Sequence, residues 1–159
     1  MINKKDIIFL LMVSVAVIAG VTGVSIIYKQ RGLRNNNAGN LVLTNIKWKG
    51  KIPNEQNTDG KFEQFTKPEW GLRAMFHDLR GDIEKDGLNT IRKLIYSYAP
   101  PNENLTEKYI ESVVKQTGLS ADAKITQGFY LPLMKAIIKH ENGLNPYDDN
   151  FIIYSMGLV

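Results

Sequence analysis

The sequence predicts a mainly α (α+β) protein: an N-terminal transmembrane helix, then a helical domain with a small β-hairpin. Three observations predict it. An uncharged run of 22 residues, Ile7 to Tyr28, stands near the N-terminus. Apolar residues recur at helical spacing between residues 68 and 142. Between these regions lies a stretch rich in Asn, Gly and Lys that carries only short apolar groups.

At 159 residues the chain has room for one modest domain beyond a membrane segment. This divides it into an anchor with its flanks, residues 1–29, and a soluble domain, residues 30–159. Cysteine is absent, which excludes disulfides, thiolate nucleophiles and zinc–thiolate sites. The histidines are His77 and His140 alone, too few for a multi-histidine metal centre. No metal or organic cofactor is expected, and chemistry falls to carboxylates, amides, hydroxyls and basic groups.

The elements follow in order. A bilayer core needs about 20 apolar residues, and the first run is long enough. Signal-peptide cores are shorter, and no convincing A-x-A site follows, so an uncleaved single-pass anchor is expected. Ala16/Gly20 and Ala19/Gly23 have small-xxx-small spacing, which suits weak self-association through the membrane helix. Net charge is +6 over residues 1–50, 0 over 51–100 and −2 over 101–159. The excess is juxtamembrane, at Lys4, Lys5, Lys29, Arg31 and Arg34, which suits a lipid bilayer. It does not suggest nucleic acid, whose basic stripe belongs on the folded part. Both flanks are positive, so orientation stays open.

Residues 30–60 read as turns and short strands, with Leu41-Val42-Leu43 and Ile46-Lys47-Trp48 as their apolar groups; Phe62-Glu63-Gln64-Phe65 completes a hairpin. Thr66-Lys67-Pro68-Glu69 has capping-box spacing. Leu72, Met75, Phe76, Leu79 and Ile83 then mark a helix stopped at Asp86-Gly87. A second helix spans about Asn89 to Tyr98. A third begins near Thr106, burying Tyr109, Ile110, Val113 and Val114. The last carries Leu133, Met134, Ile137 and Ile138 and closes at Asn142-Gly143.

Glu141 is the most informative residue. Met134, Ile137 and Ile138 lie seven, four and three residues before it, so its carboxylate continues the apolar stripe of its helix. Desolvation and the negative end of the helix dipole both raise a carboxylic pKa there. A carboxyl kept protonated near neutrality is a general acid; the plainer reading is a half-exposed capping Glu.

Ala136-Ile-Ile-Lys-His-Glu141-Asn-Gly-Leu-Asn-Pro146 resembles the core motif of soluble lytic transglycosylases and goose-type lysozymes, in which a hydrophobic helix ends in the catalytic Glu. Tyr154-Ser-Met-Gly-Leu158 resembles their Gly-Met-Gly-Leu stretch. Those enzymes continue with a Gln and further helices; no such continuation follows Val159 here. A second resemblance is broader. Arg31 to Asn40, Trp48-Lys-Gly50, Phe62 to Phe65, Pro68 to Ala74, Ala99 to Asn104 with Thr106 and Tyr109, and His140 to Gly143 with Pro146-Tyr147 occur in that order. This series resembles a family of phage virion-associated muralytic proteins, often labelled structural. Ala38 stands where that family has Pro, and Tyr98 where it has Trp.

Together the resemblances imply a lysozyme-like domain with its elements in rotated order, the Glu-bearing helix last and the Asn-rich segment first. They imply a membrane-anchored, virion-associated lytic transglycosylase or muramidase that cuts the peptidoglycan bond between N-acetylmuramic acid and N-acetylglucosamine. Glu141 is the expected acid and Glu63 the rival carboxylate, although in/out strand alternation would turn Glu63 to solvent. Asn35, Asn36, Asn37, Asn40, Asn104, Asn142 and Tyr147 are the expected glycan-binding residues, through amides that both donate and accept and a ring that stacks on sugar. Expected partners are peptidoglycan strands, the bilayer and other virion proteins. The alternative is a non-catalytic virion protein that keeps the same shape.

Overall fold

A computed structural model describes residues 30–98 and 103–159, with the side chains of Glu103 and Asn104 outside the description. Among the described residues six α-helices follow in order: α1 (Arg31–Arg34), α2 (Pro68–Glu84), α3 (Ile91–Tyr98), α4 (Glu103–Thr117), α5 (Tyr130–Asn142) and α6 (Asp149–Met156). Short 3-10 turns occupy Asn54–Gln56 and Gln127–Phe129.

The helical periodicity translates directly into packing. α5 lies against α4, α4 against α3, and α2 against α6. Between them sit Leu72, Met75, Leu79 and Ile83 of α2, Ile91, Leu94 and Ile95 of α3, Tyr109, Ile110 and Val113 of α4, Leu133, Met134, Ile137 and Ile138 of α5, and Ile152 of α6. Each buried aliphatic side chain stabilises the fold by roughly 1.5–3 kcal/mol relative to exposure. A smaller cluster joins Leu41 and Phe65 of the loop to Ala74 of α2, with Trp48 and Trp70 against it. Through it the long segment between α1 and α2 lies on the helical layer.

The expected architecture is corrected in three places. No strand forms among the described residues: the hairpin expected over residues 41–65 is reduced to isolated antiparallel bridges, Val42 with Phe62 and Lys51 with Phe65. The α+β, lysozyme-like description therefore gives way to a helical one. Side chains capture the amides a ladder would need. Leu41 N–H goes to Asn37 Oδ1, Thr44 N–H to Glu63 Oε1, and Thr58 N–H to Gln64 Oε1. Phe62 N–H goes to Asp59 Oδ1, and Asn57 Oδ1 takes Asp59 N–H and Gly60 N–H. Such local bonds compete with regular pairing.

The transmembrane helix is likewise not shown: among the described residues no helix is long and apolar enough to cross a membrane. The segment proposed as anchor, residues 1–29, lies outside the described residues. Finally, the capping box at Thr66 does not form. α2 begins at Pro68 behind Lys67 without a side-chain cap, and the Thr66 hydroxyl instead donates to Gly50 O, tying the loop down.

Candidate active site

Three separate pieces of chain meet at Glu141. α5 supplies the carboxyl from its last turn and ends at Gly143, whose φ of 74° is the left-handed C-cap geometry. α4 supplies Tyr109. The segment after α1 supplies Asn40, held at φ 51°, a conformation Asn tolerates better than other side-chain-bearing residues.

The carboxyl is clamped from two sides. Asn40 Nδ2 donates to Glu141 Oε2 at 2.9 Å, and the Tyr109 hydroxyl donates to Oε1 at 2.8 Å. The Tyr109 ring stacks on His140, with centroids 3.5 Å apart and planes 9° from parallel. One residue further, Asn142 Nδ2 donates to Ala38 O at 2.8 Å and Ile138 O at 2.9 Å, fastening the end of α5 to the Asn-rich segment. The approach is close enough to require glycine at position 32. A Cβ there would stand 2.6 Å from Asn40 Oδ1, 2.7 Å from Asn142 Oδ1 and 2.9 Å from Asn37 O.

Electrostatics follow from that geometry. Burial pushes the Glu141 carboxyl above its ordinary range, and the bonds from Asn40 and Tyr109 pull it only part of the way back. Burial, reinforced by the charge of Glu141, holds the Tyr109 hydroxyl well above the usual phenol range, so it stays protonated. Burial lowers the His140 pKa and favours the neutral ring. The ensemble is a carboxyl able to keep its proton at a higher pH than usual, held between two neutral donors. A carboxyl held in this way is chemically able to donate a proton.

No protein-family model matches the chain. It is similar to Protein P5 of Pseudoalteromonas phage PM2, with 39% identity over 120 residues that cover 74% of each chain. The chain belongs to the Protein P5 family of bacteriophage proteins.

In this member of the Protein P5 family the other predicted site residues divide sharply. Glu63 does not join Glu141. It is 0% exposed, against the expected solvent-facing strand position, and pairs with Lys51 Nζ at 2.8 Å. Thr44 adds its backbone N–H and hydroxyl, each 3.0 Å from Oε1. Phe62, Glu63 and Phe65 are all buried, because the segment is enclosed between loop and α2 rather than forming one face of a ribbon.

Most of the asparagines are structural. Asn35 donates to Asp59 and accepts from Gln64; Asn36 donates to Phe65 O; Asn37 donates to Leu41 O and Glu63 O. Asn142 is engaged with backbone as described above, and Asn40 is turned onto the acid itself. Asn104 lies in the first turn of α4, its side chain outside the described residues. Tyr147 is half-buried and stacks on Phe151, with centroids 5.6 Å apart.

Sequence reasoning placed Tyr109 among the buried residues of its helix and gave His140 no part in the site. Both are present: His140 touches the Tyr109 ring, and Tyr109 touches the carboxyl. The usable signal was a phenol on the buried stripe of α4, since a buried hydroxyl needs a partner.

Proposed function

We propose that this phage protein is a virion-associated peptidoglycan-degrading enzyme in which Glu141 is the general acid. The carrying observation is the Glu141 carboxyl, raised in pKa by burial and fixed between Asn40 and Tyr109. Glu141 passes its proton to the glycosidic oxygen between N-acetylmuramic acid and N-acetylglucosamine. The C1–O bond breaks with its electron pair going to that oxygen, which leaves as a neutral hydroxyl. A second hydroxyl then adds at C1 and returns a proton to the Glu141 carboxylate. With Glu63 locked on Lys51, no second predicted carboxylate supports a hydrolytic pair. This favours the lytic transglycosylase outcome, in which the adding group is the sugar's own 6-hydroxyl. The activity serves to open the cell wall as the phage genome passes in.

Renaturing zymography on purified peptidoglycan, with Glu141→Gln beside the wild type, tests the assignment. The wild type clears, Glu141→Gln does not, and mass spectrometry of the released fragments finds anhydro-muramic ends. Clearing that survives the substitution removes Glu141 from the role.

One observation favours a second reading, a non-catalytic virion component. Asn35, Asn36, Asn37 and Asn142 all direct their amides inward rather than toward a glycan. Absence of clearing by well-folded wild type supports that reading.

A further inference from the structure

The Asn40 side chain has an asymmetry that its hydrogen bond to Glu141 alone does not explain. Its Nδ2 donates to Glu141 Oε2, while its Oδ1 is buried with no N–H or O–H partner among the described residues. That oxygen lies over Gly32, where a Cβ would stand only 2.6 Å away. An amide oxygen without a donor is a standing cost, so its retention here needs a reason.

The reason lies in what the amide cannot do. Turned over, Asn40 would face the Glu141 carboxylate with an oxygen and lose the bond it now donates to Oε2. The side chain is thus locked with its donor toward Glu141. Tyr109 differs in kind, because a hydroxyl rotates and either donates or accepts. One carboxyl oxygen therefore faces a permanent donor and the other faces a reversible group.

We propose that Asn40 is a positioning residue that reserves Oε2 of Glu141 as an acceptor and confines the transferable proton to Oε1, beside Tyr109. This rests on the reading of Glu141 as the acid. In the protonated state the Oε1–H group is free to point at the glycosidic oxygen while Tyr109 turns to accommodate it. After transfer, Oε1 takes the Tyr109 proton as a hydrogen bond and Oε2 keeps that of Asn40, so both oxygens of the new carboxylate are stabilised. Stabilising the developing charge is where fixed donors act most strongly.

Asn40 and Tyr109 are the side chains that act directly on the carboxyl. From α4 the titratable neighbour is Tyr109, with Tyr98 of α3 acting on it from beyond. From α5 His140 stands behind the Tyr109 ring, and from α1 Arg31 is turned to Asp59.

Asn40→Gly is the informative variant, since glycine keeps the left-handed backbone and removes only the amide. Asn40→Asp is its companion, with the same outline and no donor toward Glu141 once ionised. In the full-length protein, kcat on soluble glycan strands should fall for both by about ten- to a hundredfold, the scale expected when a reacting group is misplaced by around 1 Å, with KM little changed. The alkaline limb of the rate profile should move to higher pH, because a donor that favours the carboxylate is gone. The Glu141 side-chain carboxyl 13C resonance, identified by its loss in Glu141→Gln, should titrate at higher pH in step. A purely structural Asn40 would lower stability without moving either titration.

Unchanged kcat and an unmoved alkaline limb in Asn40→Gly overturn the proposal. If the wild type does not cleave glycan at all, the enzymatic reading fails separately. The 13C titration then still decides whether Asn40 sets the protonation of Glu141, and an unmoved midpoint overturns that as well.

Discussion

At the scale of single residues, the position of Glu141 on the apolar stripe of its helix was sufficient to anticipate its desolvation. Its partners were not readable, because Asn40 lies 101 residues away in sequence and Tyr109 32. A raised carboxyl pKa has a definite thermodynamic sign. The folded state holds the proton more tightly than the unfolded chain, so the stability it contributes is present below the unfolded value, about 4.3. That contribution is lost as pH rises through the higher folded value. Above the unfolded value a titrating Glu141 is therefore less favourable to the fold than a neutral amide in its place. Glu141→Gln, which can accept from Asn40 and donate to Tyr109, should raise stability by about 1 kcal/mol at pH 7. Thermal melts at pH 7 and pH 4 check this, with the difference between the two proteins shrinking at the lower pH.

Glu63 teaches the converse at the same scale. Strand alternation placed its carboxylate in solvent, whereas the chain buries it completely on Lys51. A buried ion pair of this kind marks long-range closure of a loop, and no local pattern announces it.

At the scale of elements, helices α2 to α5 were legible because each carries a continuous apolar stripe and a stop signal. α6 was not singled out from Asp149–Met156, since a short apolar stretch reads equally as strand or helix. The deciding feature is its N-cap. Asp148 accepts from Phe151 N–H at 2.8 Å, satisfying an amide that otherwise has no partner in the first turn. Asp148→Ala should lower stability by about 1 kcal/mol, measured as a reduced urea midpoint with unchanged slope. Asp148→Asn should recover most of the loss. The missing hairpin has the opposite origin: Asn37, Asn57, Asp59, Glu63 and Gln64 offered backbone amides better-placed partners than a facing strand could.

At the scale of the whole molecule, an irregular loop layer is fastened onto a helical one, and Asp59 is a principal fastening. It accepts from Arg31 Nε at 2.7 Å, from Asn35 Nδ2 at 2.7 Å and from Phe62 N–H at 2.9 Å. Burial opposes its ionisation, but these bonds and the guanidinium charge outweigh it and hold the carboxyl well below the usual range. A depressed pKa gives stability that is present above the unfolded value of about 3.9 and is lost as pH falls toward the folded one. The denaturant midpoint should therefore drop between pH 5 and pH 3. Asp59→Asn should be less stable at pH 5 and show a flatter acid dependence, followed by tryptophan fluorescence of Trp48 and Trp70.

The sequence by itself determined the apolar stripes of helices α2 to α5, the absence of cysteine and the place of Glu141 on the stripe of its helix. These depend on periodicity and residue type, which are local quantities. Only the tertiary structure decided that Glu63 is a closed ion pair, that most of the asparagines are structural, and that Asn40 and Tyr109 meet on Glu141. Those outcomes depend on which buried polar group finds which partner. That choice is made when distant segments are brought together and each donor must be satisfied inside the fold.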